Sequence, residues 1–263
     1  MEKIAFIGMG NMAQALVAGF VKTGRVRAEN VAAFAPNQQK LAANAAKFGF
    51  KPCATLLEAI ESAPVIFVAC KPYQIEGVLE EAGKSLEGKT IVSIALGWNF
   101  HTYEKCFAGF TDKPRVQFVM PNTPAMVGEG VFLFEKSNSL KDEDRKELME
   151  LFAELGVVEE LPDNLMGIGG AISGCGPAFV DLFIESYADA AVKYGIPRAT
   201  AYKLVSQTVL GSAKLQLATG EHPAVLKDNV CSPAGSTIRG VTALEEHGLR
   251  NACIKSIDSI MTK

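Results

Sequence analysis

The chain has 263 residues, 48% of them apolar and 21% charged, with a net charge of −3 at neutral pH. That length allows two domains with cores of their own, and an acidic balance without a Lys/Arg run excludes a basic stripe for nucleic acid. Six scattered cysteines form no C-x-x-C pair and have no histidine beside them, so no disulfide and no metal site is expected, and a reducing cytoplasm suits the chain.

The first apolar run, "KIAFIG", begins at the third residue and leaves no room for an export signal, so none is expected. Further strand-like runs are "VAAFA", "VIFVAC", "TIVSIAL", "RVQFVM" and "VFLFE". Helical patterns over Met12–Lys22, Gln38–Phe48, Thr55–Ser62 and Tyr73–Lys84 lie among them. Strands that are apolar at nearly every position predict a parallel sheet covered on both faces. The expected class is therefore α/β, with an N-terminal doubly wound domain of the Rossmann type. A helix over Asp142–Leu155 and a strand over Val157–Leu161 close this domain. The boundary is placed at "LPDN", which divides the chain into residues 1–161 and a C-terminal all-helical dimerisation domain, 162–263.

In the second part no strand is expected. The uncharged stretch Asn164–Val180 is interrupted by glycines and Pro177, which predicts a buried helix pair rather than a membrane span. Helices follow from Pro177 to about Tyr194 and from Arg198 to Ala218, apolar around most of their circumference. Such a domain cannot bury itself alone, so a homodimer sharing one core is expected.

Between "KIAFIG" and the first helix, Gly8, Gly10 and Ala13 form G-x-G-x-x-A. Gly8 permits the tight turn, Gly10 lets the backbone approach a pyrophosphate, and Ala13 allows close helix–strand packing. Asn11 and Met12 would offer amides to the phosphates at the helix start. An acidic residue after the second strand would select NAD, but "VAAFAPNQQK" has none. Asn37, Gln38 and Lys40 stand there instead and suit a 2′-phosphate, so NADP is expected, with NAD the alternative. "ACKPYQ" (Ala69–Gln74) and "MPNTPAMVGEG" (Met120–Gly130) each end a strand where ligands bind in such sheets. Lys71 and Pro72, and likewise Asn122 and Thr123, read equally as surface and turn residues.

The segment "DNVCSPAGSTIRG", Asp228–Gly240, breaks the helical tail with small polar residues. Ser236 and Thr237 are expected as N-cap and first turn of a helix over Ile238–His247. Asn229, Ser232, Gly235, Ser236 and Thr237 supply more donors than one cap requires, which points to a carboxylate-binding loop. An ordinary N-cap is the competing account. Of three histidines none has metal-ligand spacing, and no Ser–His–acid or paired-carboxylate arrangement is visible. The chemistry is then expected to rest with a cofactor.

Together "IGMGNMAQAL", "VACKPYQ", "MPNTPAMVGEG", "ISGCGPAF" and "HPAVLKDNVCSPAGSTIRGVTALE" closely resemble the pyrroline-5-carboxylate reductase family, in order along the whole chain. The resemblance implies NAD(P)H reduction of 1-pyrroline-5-carboxylate to L-proline, the last step of proline biosynthesis. It also implies a homodimer and, above it, a ring of five dimers. By matched position, Gly8, Met9, Gly10, Asn11 and Met12 would hold the cofactor pyrophosphate. Ala35 and Asn37 would line its adenosine end, and Ala69, Lys71, Pro72, Ala95 and Leu96 its nicotinamide side. Asn229 would reach the cofactor across subunits. Val230, Ser232, Gly235, Ser236 and Thr237 would bind the substrate, and Thr237 would bond the ring nitrogen as the catalytic residue.

Three departures from the family pattern bear on the site. Ala35-Pro36-Asn37 stands where many relatives have a Ser or Arg. Leu56 stands where relatives often carry an Asn facing the adenosine ribose, and "DNLMGIGGAISG" is unusually glycine-rich, with Asp163 a candidate site residue. A β-hydroxyacid dehydrogenase would need a Lys where "GCGPAFV" puts Val180. A non-enzymatic NADP sensor would have no use for the donors of Asn229–Thr237.

Overall fold

The computed structural model describes residues 3–262 as two compact units, one ending at Gly174 and the other beginning at Cys175. The first is built on an eight-stranded sheet of order β3-β2-β1-β4-β5-β6-β7-β8. Its strands are β1 (Ile4–Ile7), β2 (Val31–Phe34), β3 (Lys51–Pro52), β4 (Val65–Val68), β5 (Thr90–Ser93), β6 (Arg115–Met120), β7 (Gly130–Asn138) and β8 (Gly156–Leu161). The helices between them are α1 (Asn11–Lys22), α2 (Gln38–Phe48), α3 (Leu56–Glu61), α4 (Pro72–Ala82), α5 (Phe100–Cys106) and α6 (Asp142–Ala153).

Pairing is parallel throughout except between β6 and β7. The stretch joining those two, with a short 3-10 turn over Thr123–Val127, is too short for a parallel crossover, which takes a dozen or more residues. Side-chain alternation along β1 sends Ile4 and Phe6 into one core layer and Ala5 and Ile7 into the other. The first layer is aromatic. Phe6 stacks on Phe67 at 4.6 Å, and Phe152 of α6 contacts Phe20, Phe132 and Phe134 at 4.9–5.4 Å. Such pairs add to simple area burial. β3 escaped the sequence reading because its two residues are exposed and one is a proline. α5 escaped because seven residues carry too little periodicity.

The compact units divide later than the position 161/162 read from the sequence. Asp163 accepts from Ser137 N–H at 3.1 Å, and Asn122 donates to the Ser173 carbonyl at 3.0 Å, so this segment packs on the first unit. The expected helix pair is corrected. Residues 163–193 form one helical run: α7 (Met166–Gly170), a π turn at Ala171–Cys175, and α8 (Gly176–Lys193). Pro177 does not break it: α8 follows the π turn, and the Ser173 carbonyl, four residues before Pro177, accepts from the Asn122 side-chain amide instead. By length and composition alone this run is long and apolar enough to cross a membrane, and most of it is unburied within the single chain.

In the second unit α8 pairs with α9 (Arg198–Thr219), followed by α10 (Pro223–Asn229), α11 (Ser236–Glu246) and α12 (Leu249–Met261). The α8–α9 turn is held by Arg198, which pairs with Asp189 at 2.6 Å and lies over the Tyr202 ring. Among the described residues of this unit only Ala188 and Ala201 are buried, while Leu182 and Leu217 are 63% and 74% exposed. An apolar helical unit with no interior of its own is the signature of an obligate interface. All six cysteines are free.

Candidate active site

In the first unit the strand order reverses at β1, which lies between β2 and β4, and a cleft of about 720 Å³ opens beyond the carboxyl ends of these strands. Sheets of this kind bind ligands at that position. The turn leaving β1 forms its floor. Gly8 donates to the Phe34 carbonyl at 2.8 Å and has φ +99°. A Cβ there would lie 2.7 Å from backbone atoms of Ala69 and Cys70, so only glycine fits. Gly10, the N-cap of α1, is different: its backbone is extended, and a Cβ would meet nothing within 4 Å. The face of Gly10 is therefore open toward the cleft. Met9, Asn11 and Met12 line it as well, and no side chain caps the first amides of α1.

Ala35, Pro36 and Asn37 continue the lining beyond β2, joined by Lys40 and Asn44 on one face of α2. Asn37 caps α2, its Oδ1 accepting from Lys40 N–H at 2.9 Å. Gln38 is spent elsewhere, donating to the carbonyls of Ala35 and Cys53 at 2.9 and 3.3 Å. Leu56 is fully buried in the core and absent from the cleft. Ala69, Cys70, Lys71 and Pro72 form the rim beyond β4, and Ala95 and Leu96 the rim beyond β5. Burial pushes the Cys70 thiol up to about 11, so it is protonated at neutral pH and offers no thiolate nucleophile. Past the last ladder bond the two rims are tied by Trp98, whose indole N–H donates to the Pro72 carbonyl at 3.1 Å.

"MPNTP" divides its labour. Thr123 lines the cleft. Asn122 is buried and structural, its Oδ1 accepting from Val131 N–H at 2.8 Å while its amide holds Ser173. Asp163 is likewise structural, accepting from Ser137 and pairing with His101 at 3.3 Å.

The donor-rich segment lies wholly in the second unit. Asn229 ends α10, Val230 follows it, and Ser232 to Gly235 form the loop into α11. The helix begins earlier than expected. Gly235 is the N-cap, with Ser236 and Thr237 the first two helical residues. A side chain at Gly235 would sit 2.4 Å from Ser232 Oγ. Ala234 is the only non-glycine described with positive φ, at 56°, a conformation that costs free energy and recurs at ligand sites. No side chain caps α11, and the hydroxyls of Ser232, Ser236 and Thr237 have no partner among the described residues. The ordinary N-cap account therefore does not apply, because none of these hydroxyls is used as a cap.

Sequence reasoning missed Asn44 and Trp98. Asn44 was legible as the residue one turn beyond Lys40 on the predicted α2, whereas the Trp98–Pro72 contact joins residues on different strands and has no local signal. Among the described residues no group of three or more His, Cys, Asp or Glu is placed to hold a metal.

Comparison with known proteins bears on both units. Residues 3–97 match the family described as NADP oxidoreductase coenzyme F420-dependent, and residues 163–263 match pyrroline-5-carboxylate reductase dimerisation. The pyrroline-5-carboxylate reductase of Treponema pallidum is 40% identical over 98% of each chain. That of Escherichia coli is 38% identical over all of this chain and 97% of its own. A crystal structure of Plasmodium falciparum pyrroline carboxylate reductase with NADP bound superposes with a TM-score of 0.87 at 31% identity, covering 98% of this chain and 95% of that one. A glycine-floored cleft at the switch point and an apolar helical unit, matched end to end at this identity, place the chain in the pyrroline-5-carboxylate reductase family.

Proposed function

We propose that this chain reduces 1-pyrroline-5-carboxylate to L-proline with NADPH. The observation that carries the reading is the end-to-end match to reductases of that name, combined with a dinucleotide cleft whose described lining residues include no carboxylate. The cleft fits such a cofactor: the open face of Gly10 admits a pyrophosphate, and the uncapped amides of Asn11 and Met12 suit its charge. Gly8 and Met9 complete that turn, Ala35 and Asn37 take the adenosine end, and Ala69, Lys71, Pro72 and Ala95 take the nicotinamide end. When bound, the cofactor supplies a hydride.

The protein's own part is binding and orientation. The substrate is a small anion with a C=N bond. Free amides at the start of α11 and the uncommitted hydroxyls of Ser232, Ser236 and Thr237 match a carboxylate, with Gly235 allowing the close turn and Val230 walling the ring. Thr237 is assigned to the ring nitrogen. Its hydroxyl is far too weak an acid to surrender a proton outright, so its role is to hold the protonated imine, or a relaying water, in one orientation. That makes the imine carbon electrophilic and fixes its direction. Asn229 is assigned to a cofactor contact from the other subunit.

The working unit is read as a homodimer and the cytoplasm as its place. Support comes from an unburied helical unit and six free cysteines. Asp181, Glu185 and Asp189, one per turn along α8, would be costly against lipid and favour a protein partner over a membrane.

The test is proline formation from 1-pyrroline-5-carboxylate by the purified protein, followed by NADPH oxidation. Thr237→Ala should lower kcat/KM by about 10- to 1000-fold, the scale of losing one aligned polar contact. Absence of imine-dependent oxidation would end the reading, and wild-type turnover in Thr237→Ala would end the role of Thr237.

A further inference from the structure

We propose that Lys40, supported by Asn44, is the residue by which this chain selects the phosphorylated dinucleotide, holding the 2′-phosphate of the cofactor. The inference rests on the cofactor reading above and adds the side chains that make the choice.

The described residues lining the cleft include no Asp or Glu and only two charged groups, Lys40 and Lys71. A site built for NAD supplies a carboxylate after the second strand to bond both ribose hydroxyls. Here that position is the uncharged Ala35-Pro36-Asn37, and the charged lining side chain that follows it is Lys40, in the first turn of α2. The two lysines stand apart in place: Lys71 is at the N-cap position of α4, at the rim beyond β4, its N–H donating to Gln74 Oε1, while Lys40 lies in the first turn of α2, beyond β2, the strand whose end reads the adenosine ribose.

Neighbouring groups decide which side chains remain available. Gln38, equally polar and closer to β2, has its amide turned to the carbonyls of Ala35 and Cys53. Glu58 in α3 does not line the cleft; it pairs with Lys51 at 2.9 Å and also accepts from Ala54 N–H at 2.9 Å. Lys40, by contrast, pairs with no carboxylate among the described residues, and the Asn44 amide has no partner there either. Asn37 accepts the Lys40 backbone N–H through its oxygen, which fixes the turn that carries Lys40, and its NH₂ has no partner among the described residues. Lys40 and Asn44, four residues apart, share one face of α2, and both line the cleft. Together these groups offer a point charge and two amide donors to a phosphate. With no arginine among them there is no bidentate grip.

The experiment measures kcat/KM with NADPH and with NADH for the wild type and for Lys40→Gln, Lys40→Arg and Asn44→Ala, at fixed imine concentration. Direct binding of 2′,5′-ADP and of 5′-AMP to each protein is measured in parallel by calorimetry. Lys40→Gln should reduce the NADPH/NADH ratio by about 10- to 100-fold, the scale of one charge-assisted hydrogen bond. The change should appear in KM rather than kcat, and 2′,5′-ADP should lose its advantage over 5′-AMP. Lys40→Arg should retain most of the ratio, and Asn44→Ala should lower it by a smaller factor. A wild type that prefers NADH overturns the cofactor reading itself. A wild type that prefers NADPH, with an unchanged ratio in Lys40→Gln, overturns the assignment of Lys40 alone.

Discussion

Gly8 and Gly10 are two residues apart in one turn, yet a methyl group added to each should do opposite things. At Gly8 the backbone stands at φ +99°, where an L-residue costs about 1–2 kcal/mol. The new Cβ would also press to 2.7 Å on the carbonyl carbon of Ala69 and the nitrogen of Cys70, against a normal separation of about 3.5–4.0 Å. Neither side can yield. Ala69 N–H bonds the Ile7 carbonyl and Gly8 N–H bonds that of Phe34, both at 2.8 Å, so relief means prising apart the central strands β1 and β4. Overpacking of this kind costs about 1–3 kcal/mol. Gly8→Ala should therefore lose about 2–5 kcal/mol of a stability that is typically about 5–15 kcal/mol. Gly10→Ala meets nothing within 4 Å and needs no unusual backbone, so its stability should stay within about 0.5 kcal/mol of wild type. Its methyl would instead occupy the face reserved for the pyrophosphate, weakening NADPH binding by about 10- to 100-fold. Urea unfolding followed by the fluorescence of Trp98, the single tryptophan and a member of this unit's core, measures the first quantity. Titration with NADPH measures the second. A Gly8→Ala protein with the wild-type midpoint, or a Gly10→Ala protein with wild-type affinity, would refute the division of roles.

Two further outcomes follow from buried polar groups in the same unit. Arg145 donates to Oε1 of the fully buried Gln117 at 2.9 Å and to the Glu135 carbonyl at 3.3 Å, and it pairs with Glu160. Arg145→Met strands the Gln117 oxygen and should cost about 1–3 kcal/mol in urea unfolding, with Gln117→Leu/Arg145→Met less destabilised than the sum of the single changes. Additive behaviour would show that the two side chains are not coupled. Glu135 is 1% exposed, and burial raises its pKa above the ordinary 4.5, opposed in part by the Phe100 N–H that its Oε2 accepts at 2.8 Å. A raised carboxyl binds its proton more tightly folded than unfolded, so its ionisation subtracts stability as pH climbs from 4.5 towards the raised value. Glu135→Gln should therefore gain stability relative to wild type across that interval and hold the gain at neutral pH. Parallel stability–pH curves for the two proteins would contradict this.

Much of the fold was legible because its causes are local. Apolar runs four to six residues long specify strands, α2 begins and ends where its periodicity does, and Asn37 and Thr55 mark helix starts by their side-chain oxygens. The glycine turn and the donor-rich loop were also visible, since both depend on residue type at fixed spacing. Other features were not. The helix at Ser236 begins before the apolar pattern resumes, because Gly235 rather than a hydroxyl residue is its cap. The run through Pro177 stays helical because a π turn precedes it, and no composition rule anticipates that.

Sequence alone determined which groups the chain possesses: Lys40 and Lys71 just beyond two of the strands, and three hydroxyls beside Gly235 in the loop. Tertiary structure decided which of them are free. Gln38 and Asn122 are the right chemical type for a site, yet their hydrogen bonds go to Cys53, Val131 and Ser173. Leu56 is turned into the core, while Lys40, Asn44 and Thr123 keep their faces to the cleft. The reason is physical: whether a donor remains unspent depends on acceptors contributed by other strands and helices, and those neighbours exist only once the sheet has assembled.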